Sequence, residues 1–382
     1  MQCLLKSPKK DFINIKEREN VRNKLNRKHY NGKNGFEMIK FTGSAKEYFG
    51  IWIVNVVLSI VTIGIYSAWA KVKRETYFKN NTLIGEMGFG YHATGMQIFK
   101  GRLIAFVVLV ALNVAAAMST IVGVALFVVL VFLIPVIINN SIKFSASVTS
   151  FRNVRFNWHG TYWKSFWFFV IAPAVSVLSL GLLMPLISKA YYAYFAKSHS
   201  YGTSNFSCEP STKDYYLAFA LGVVVPSLLI VSTLAIIIVS SSVGISSSSS
   251  WEVLDNYSGL TAFLGLFVPF TTIIAFILAA SIYKVLCRNI MMKSLELSDV
   301  ASFGSEINPI KLVWIRISNT FVVILTLGFM IPWANVRVHK YLSECSTIHI
   351  KGDLDKFLDE AAKNKSAFGE ELAELEGFEV NI

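Results

Sequence analysis

Three polar side chains stand inside runs that are otherwise apolar. Asn55 lies in the run 48–69, and Arg316 and Asn319 lie in the run 310–333. An amide or a cation in hydrocarbon is costly, so such groups usually face a bundle interior or a wet cavity. Asn55 and Asn319 each stand nine residues before a glycine, Gly64 and Gly328. They could line a polar path for a substrate. The plainer alternative is interhelical hydrogen bonding, worth about 0.6–2 kcal/mol per group. Arg316 could hold an anionic substrate or a lipid phosphate, or it could snorkel to the surface from shallow depth.

No catalytic set accompanies them. The 6 histidines are dispersed, with no H-E-x-x-H spacing. The 4 cysteines (Cys3, Cys208, Cys287, Cys345) form no C-x-x-C pair, which indicates neither a disulfide framework nor a zinc site. "GEMGFGYHATG" at 85–95 is glycine-rich but opens no helix after a strand. It reads as a surface loop or short hairpin rather than a phosphate loop. No Gly-x-Ser-x-Gly elbow occurs. No catalytic residue, cofactor, metal or nucleic-acid partner is therefore expected, and an interfacial enzyme ranks last among the functions considered.

The elements that would position these side chains are membrane helices. Of 382 residues, 54% are apolar and only 16% charged, and the mean hydropathy is +0.52. The apolar residues gather in blocks at 48–69, 103–138, 163–188, 216–239, 260–283 and 310–333. Several exceed the roughly 18 residues that a spanning helix needs. Strands of a membrane barrel alternate apolar and polar residues, and these blocks do not. The block 103–138 is too long for one crossing and is expected to turn near Ser119, Thr120 and Gly123. The Ser-rich stretch 240–259 carries no Lys or Arg and reads as a flexible loop.

One pattern recurs: "TIGIYSAWAKVKRETYF" from Thr62, "SLGLLMPLISKAYYAYF" from Ser179 and "TLGFMIPWANVRVHKYL" from Thr326. Counted from Gly64, Gly181 and Gly328, position +4 holds Ala68, Pro185 and Pro332. Position +5 holds Trp69, Leu186 and Trp333, and position +13 holds Tyr77, Tyr194 and Tyr341. Three divergent copies of one unit account for this, with plain apolar helix pairs between them. Each glycine marks a helix break, and Pro185 and Pro332 cannot continue the old helix. Trp69 and Trp333 suit the headgroup level. The basic clusters Lys71/Lys73/Arg74 and Arg337/His339/Lys340 could capture headgroups or phosphates, or simply enforce topology.

The net charge of +12 tests how these segments sit. If all three motif segments cross, the cations divide almost evenly between the two sides. If each dips in and returns, only the plain helices cross, and every Lys and Arg except Arg316 lies outside the bilayer on one side. The positive-inside rule favours dipping, with both termini in the cytoplasm. The expected fold is an all-α polytopic membrane bundle, built from about three divergent glycine-centred repeat units with paired transmembrane helices between them. Residues 1–40 read as a basic, disordered arm and 41–335 as the membrane domain. Within it lie motif segments 41–80, 156–197 and 303–342 and helix pairs 103–138 and 216–283. Residues 336–382 read as an acidic cytoplasmic tail.

The stretches "FTGSAKEYFGIWIVNVVLSIVTIGIYSAWAKVK" and "ISNTFVVILTLGFMIPWANVRVHKYL" resemble the YjgN family of bacterial inner-membrane proteins. So do "SVTSFRNVRFNWHGTYW" and "GDLDKFLDEAAKNKSAFGEELAE". The middle copy departs from the pattern, with Leu186 in place of the tryptophan. The resemblance spans about 38–382 and implies a multi-pass protein of the inner membrane, and it implies no activity. Two functions follow as expectations. One is a transporter or channel with a site between broken helices near Asn55, Asn319 and Arg316. The other is a non-transporting protein that organises lipids or partners. The lipid bilayer, including anionic phospholipid, is the expected partner, and the oligomeric state is left open.

Overall fold

The computed structural model describes residues 35–247, 251–298 and 300–351. Residues 1–34 of the basic arm and the acidic tail from 352 lie outside the described residues. The described chain alternates short strands with helical hairpins. β1 (Gly35–Phe41) leads into α1 (Ala45–Val61) and α2 (Ser67–Asn80), then β2 (Thr82–Ile84) and β3 (Met87–Tyr91). α3 (Gly95–Met118) and α4 (Thr120–Ser147) follow, then β4 (Thr149–Phe151) and β5 (Val154–Trp158). Next come α5 (Tyr162–Leu178), which carries a π-helical turn at Trp167–Ile171, and α6 (Met184–Lys197). β6 (His199–Tyr201) and β7 (Ser204–Cys208) precede α7 (Thr212–Ser247) and α8 (Trp251–Lys293). β8 (Leu295–Leu297), β9 (Ala301–Ser305), α9 (Pro309–Leu325), α10 (Ile331–Glu344) and β10 (Ser346–Ile350) complete the described chain.

The strands close into one barrel in sequence order, every neighbour antiparallel. This overturns the all-α bundle of three repeat units. The strands sit in the segments between apolar blocks, where three to seven residues show too little alternation to be read as strands. "GEMGFGYHATG" supplies the β2–β3 turn and β3, and residues 35–40, expected as disordered arm, form most of β1. Ser346–Ile350 closes the ring against β1, with Ile350 opposite Gly35.

Up-and-down order fixes which end each connection occupies. Every odd strand leads into helices and every even strand leads away from them. All five helical hairpins therefore leave one rim, and the tight turns share the other. At the turn Arg152–Asn153 both residues have positive φ (48° and 67°), as a two-residue hairpin requires. A backbone bond closes the base of four excursions: Thr42 N–H to Asn81, His92 to Val148, His159 to Ser198 and Glu306 to Cys345, at 2.8–2.9 Å. The barrel interior is filled by apolar side chains, among them Phe89, Phe151, Phe156, Tyr201, Phe206 and Ile348.

Four helical stretches are long and apolar enough to cross a membrane: Gly95–Ala117, Thr120–Ser147, Thr212–Ala235 and Pro269–Lys293. The turn of the first pair falls at Ser119, within the expected stretch. The Ser-rich stretch read as a loop is helical up to Ser247 and again from Trp251. The other three hairpins are the glycine-bearing ones.

Candidate functional site

The three glycine hairpins share one turn geometry. Ile63, Leu180 and Leu327 have φ of 49°, 51° and 51°, and the following glycines 85°, 83° and 92°. Each glycine N–H reaches the carbonyl five residues back, in Ser59, Ser176 and Val323, at 2.7–2.8 Å. This is a Schellman cap, but the left-handed C′ position that glycine normally takes holds Ile or Leu. A side chain there costs about 1–2 kcal/mol. These aliphatics are 94%, 89% and 90% exposed. Pro185 and Pro332 are buried in the first turn of α6 and α10, where a missing N–H costs nothing. They restart the helix after the break.

The motif tyrosines tie each hairpin at its base. Tyr77 donates to the Ser44 carbonyl at 2.8 Å, Tyr194 to Thr161 at 3.4 Å and Tyr341 to Asn308 at 3.3 Å. Ser44, Thr161 and Asn308 are the N-caps of α1, α5 and α9. Burial raises the Tyr77 and Tyr341 hydroxyl pKa values above the usual range, so they remain donors.

Above the base the first and last hairpins differ. In the last, Asn319 is bonded at both ends of its amide. Its Nδ2 donates to the Ala334 carbonyl at 3.1 Å, and its Oδ1 accepts from Arg337 at 3.0 Å. Arg337 also donates to Ser318 Oγ at 2.8 Å and lies over the Trp333 ring at 5.1 Å. In the first hairpin Asn55 is buried, yet its Oδ1 accepts no hydrogen bond. Lys73 stands at the offset of Arg337 but lies over the Tyr66 ring at 5.5 Å.

Asn55 instead borders a cavity of about 440 Å³ between α1, α2 and the start of α3. Tyr48, Trp52, Ser67, Lys71, Arg74 and Arg102 are among its other lining residues. Arg74 pairs with Glu75 at 2.9 Å, and Arg102 donates to Ser67 Oγ at 2.6 Å. Among the described residues neither Lys71 nor Arg102 has a carboxylate partner. Trp69 is half-buried against Phe99, 5.8 Å between ring centres, and leaves no room for a Cβ at Gly95. Arg316 is exposed on α9, and neither it nor Asn319 lines the cavity. Lys340 is exposed on α10, 4.0 Å from Glu344.

Sequence reasoning singled out Asn55, Lys71 and Arg74 but missed Tyr48, Trp52, Ser67 and Arg102. Arg102 stands immediately before the apolar block 103–138, a position that gave no sign of its neighbours. In the middle hairpin Ala172 occupies the asparagine offset and is buried. The polar contact there runs instead from Ser165 to Asn139 at 2.9 Å.

A family of bacterial proteins of unknown function, DUF898, matches residues 37–375. The chain belongs to that family. Among curated relatives it is similar to the inner membrane protein YjgN of Salmonella typhimurium, 24% identical over 82% of this chain and 88% of that one. The YjgN proteins of Escherichia coli O157:H7 and K12 are 28% and 29% identical over 41% and 39% of this chain, covering 40% and 38% of theirs. No solved structure matches. Members named as inner membrane proteins, together with four apolar helices of spanning length, make this a membrane protein.

Proposed function

We propose that the protein organises phospholipid in the cytoplasmic leaflet of the inner membrane and transports no solute. The observation that carries this is the set of three hairpin tips. Each holds a nearly fully exposed Ile or Leu in a left-handed conformation that disfavours it. Hydrocarbon around the tip makes such a choice intelligible, since a glycine there would relieve the backbone but bring no apolar surface.

Helix lengths support the same arrangement. α1 and α9 have 17 residues each, about 26 Å. α3 and α4 have 24 and 28, about 36 and 42 Å. Each has one end at the same rim, so a rim in the headgroup layer gives two depths. α3/α4 and α7/α8 are long enough to cross a hydrocarbon core of about 30 Å, while the glycine hairpins turn back short of its far side. The positive-inside rule puts the barrel and both termini in the cytoplasm. Three hairpins then displace lipid mainly from the barrel-side leaflet. The packed barrel interior argues against a solute route along its axis.

Reconstitution tests this. Spin-labelled phospholipid should be motionally restricted more strongly in the barrel-side leaflet than in the opposite one, with no release of entrapped solute. Equal restriction in both leaflets, or solute release above protein-free vesicles, would overturn it.

A further inference from the structure

Each of the five helices that leave the rim opens on the same kind of exposed pair, a lysine and, three residues on, a large apolar or aromatic side chain. On the glycine hairpins these are Lys46 with Phe49, Lys164 with Trp167 and Lys311 with Trp314. On the two long hairpins they are Lys100 with Leu103 and Lys213 with Tyr216. A spacing of three puts both members of a pair on one helix face. The large residues are 39–65% exposed, and the lysines are exposed as well. The pattern covers both kinds of hairpin, so the glycine motif does not account for it.

Nothing inside the protein calls for a lysine at these places. The start of a helix is its positive end, and a cation there is disfavoured. Among the described residues no carboxylate pairs with any of the five. Lys164 and Lys311 lie 5.9 and 5.0 Å from the ring centres of Tyr194 and Tyr341, contacts that leave the charge uncancelled. The first turns of these five helices hold two acids, Glu47 and Asp214. The lysines that close two of the returning helices behave otherwise. Lys197 and Lys293 pair with Glu209 and Glu306 at 3.2 and 3.7 Å, at helix ends where a cation is favoured. An anion from outside the chain resolves the contrast.

Depth identifies that anion. Counted from the helix starts, the lysines lie within about 8 Å of the rim and their partners about 4.5 Å deeper. With the rim in the headgroup layer, the lysine stems reach back to the phosphates, while the rings lie where headgroups meet hydrocarbon, the level that Trp and Tyr favour. Lys100 stands deepest, in the second turn of α3, and its partner is the aliphatic Leu103, which suits hydrocarbon. We infer that the five pairs form a girdle that binds anionic phospholipid of the cytoplasmic leaflet, each lysine on a headgroup phosphate and each large residue against the top of an acyl chain. A zwitterionic headgroup brings its own cation and gains less from the lysine. A soluble anion would use the lysines and leave the exposed partners without a role. The inference rests on the leaflet placement proposed above and adds the class of lipid and the residues that hold it.

The full chain in phosphatidylcholine vesicles tests it. Trace spin-labelled phosphatidylglycerol in the barrel-side leaflet should be enriched at the protein up to about fivefold over spin-labelled phosphatidylcholine, the effect of one cation near the surface. Changing all five lysines to glutamine should bring that ratio to about one. Changing them to arginine should preserve it, which separates charge from folding. Lys213→Gln with Lys311→Gln should give an intermediate ratio. The tryptophan emission lost in Trp314→Phe should be quenched more by phosphatidylcholine brominated high on the acyl chain than by one brominated near the methyl end. The girdle is overturned by a glutamine variant that keeps the original ratio, by an arginine variant that loses it, or by stronger quenching of Trp314 from the methyl end. It is also overturned if millimolar sn-glycerol 3-phosphate abolishes the enrichment where sodium chloride of equal ionic strength does not. A ratio of one in the unaltered protein, with phosphatidylcholine still more restricted on the barrel side, would sink this inference alone. Absence of that asymmetry would sink the proposed function.

Discussion

The first and last hairpins start from the same plan and end in different chemistry. Both run a 17-residue helix into a Schellman turn with an aliphatic C′ residue, and both tie a tyrosine to an N-cap carbonyl. Both bury an asparagine nine residues before the glycine. The last hairpin encloses its asparagine with Arg337, Ser318 and the Ala334 carbonyl. The first has Lys73 and Val54 at the corresponding offsets and leaves Asn55 Oδ1 buried without a hydrogen bond. Arginine can reach the amide and keep its ring stack through a planar fork of donors, whereas lysine offers a point charge that settles over Tyr66. The difference separates a hairpin whose amide is bonded at both ends from one whose amide oxygen is buried without a partner.

The largest expected effect sets the two asparagines against each other. Asn319→Leu removes an acceptor for a charged donor and should destabilise by about 2–3 kcal/mol. Asn55→Leu removes a buried amide whose oxygen is unpaired and should be neutral or stabilising by up to about 1 kcal/mol. Thermal unfolding in lipid-free detergent reads both. Equal losses would mean that Asn55 has a partner after all, and the contrast between the hairpins would collapse.

Conversion is the second test. Val54→Ser with Lys73→Arg installs the closing pair of the last hairpin in the first. Detergent stability should rise by about 1–2 kcal/mol, because the new guanidinium satisfies Asn55. No gain would show that the backbones are less alike than their offsets imply.

A third test should leave the comparison unmoved. Ile63→Gly and Leu327→Gly each relieve a left-handed side chain, worth about 1 kcal/mol, and each lose a tip contact with lipid, worth roughly 0.5 kcal/mol. The net change should be small and equal in the two hairpins by unfolding in nanodiscs. A large loss in one alone would mean that its tip packs against protein.

How much of this could be read in the sequence follows from the length of each element. Apolar blocks of 20 residues or more announce helices, and Ser119 and Gly64 announce where they turn. The barrel gave no comparable signal. Its strands run three to seven residues, are parted by helices of up to 43, and owe their register to ring closure. The turn Phe151-Arg152-Asn153-Val154 and the stretch Tyr201-Gly202-Thr203-Ser204 were the available hints, since Asn or Gly just after an aromatic suits a tight hairpin. Asn55 was legible as a polar group out of place. That its oxygen stays empty was not, because that depends on where Lys73 and Arg102 come to rest.

The smallest effect concerns pH, and it belongs to the barrel rather than to either hairpin. His199 in β6 packs against Trp158 and Phe195, with ring centres 4.7 and 4.6 Å apart, and its Nδ1 meets the Phe195 carbonyl at 2.8 Å. Burial lowers its pKa, with a further push from nearby His159, while the carbonyl contact opposes both. The folded state therefore keeps the ring neutral at a pH where the unfolded chain, near 6.5, already binds a proton. The unfolded state binds more protons as pH falls below about 7, so stability should decline on acidification and level off only below the folded pKa. His199→Phe should flatten that decline between pH 7 and 5. The opposite signs of Asn55→Leu and Asn319→Leu should persist at each pH, because neither amide titrates. A pH-dependent reversal of those signs would place a titrating group inside one of the hairpins and undo the contrast between the two asparagines.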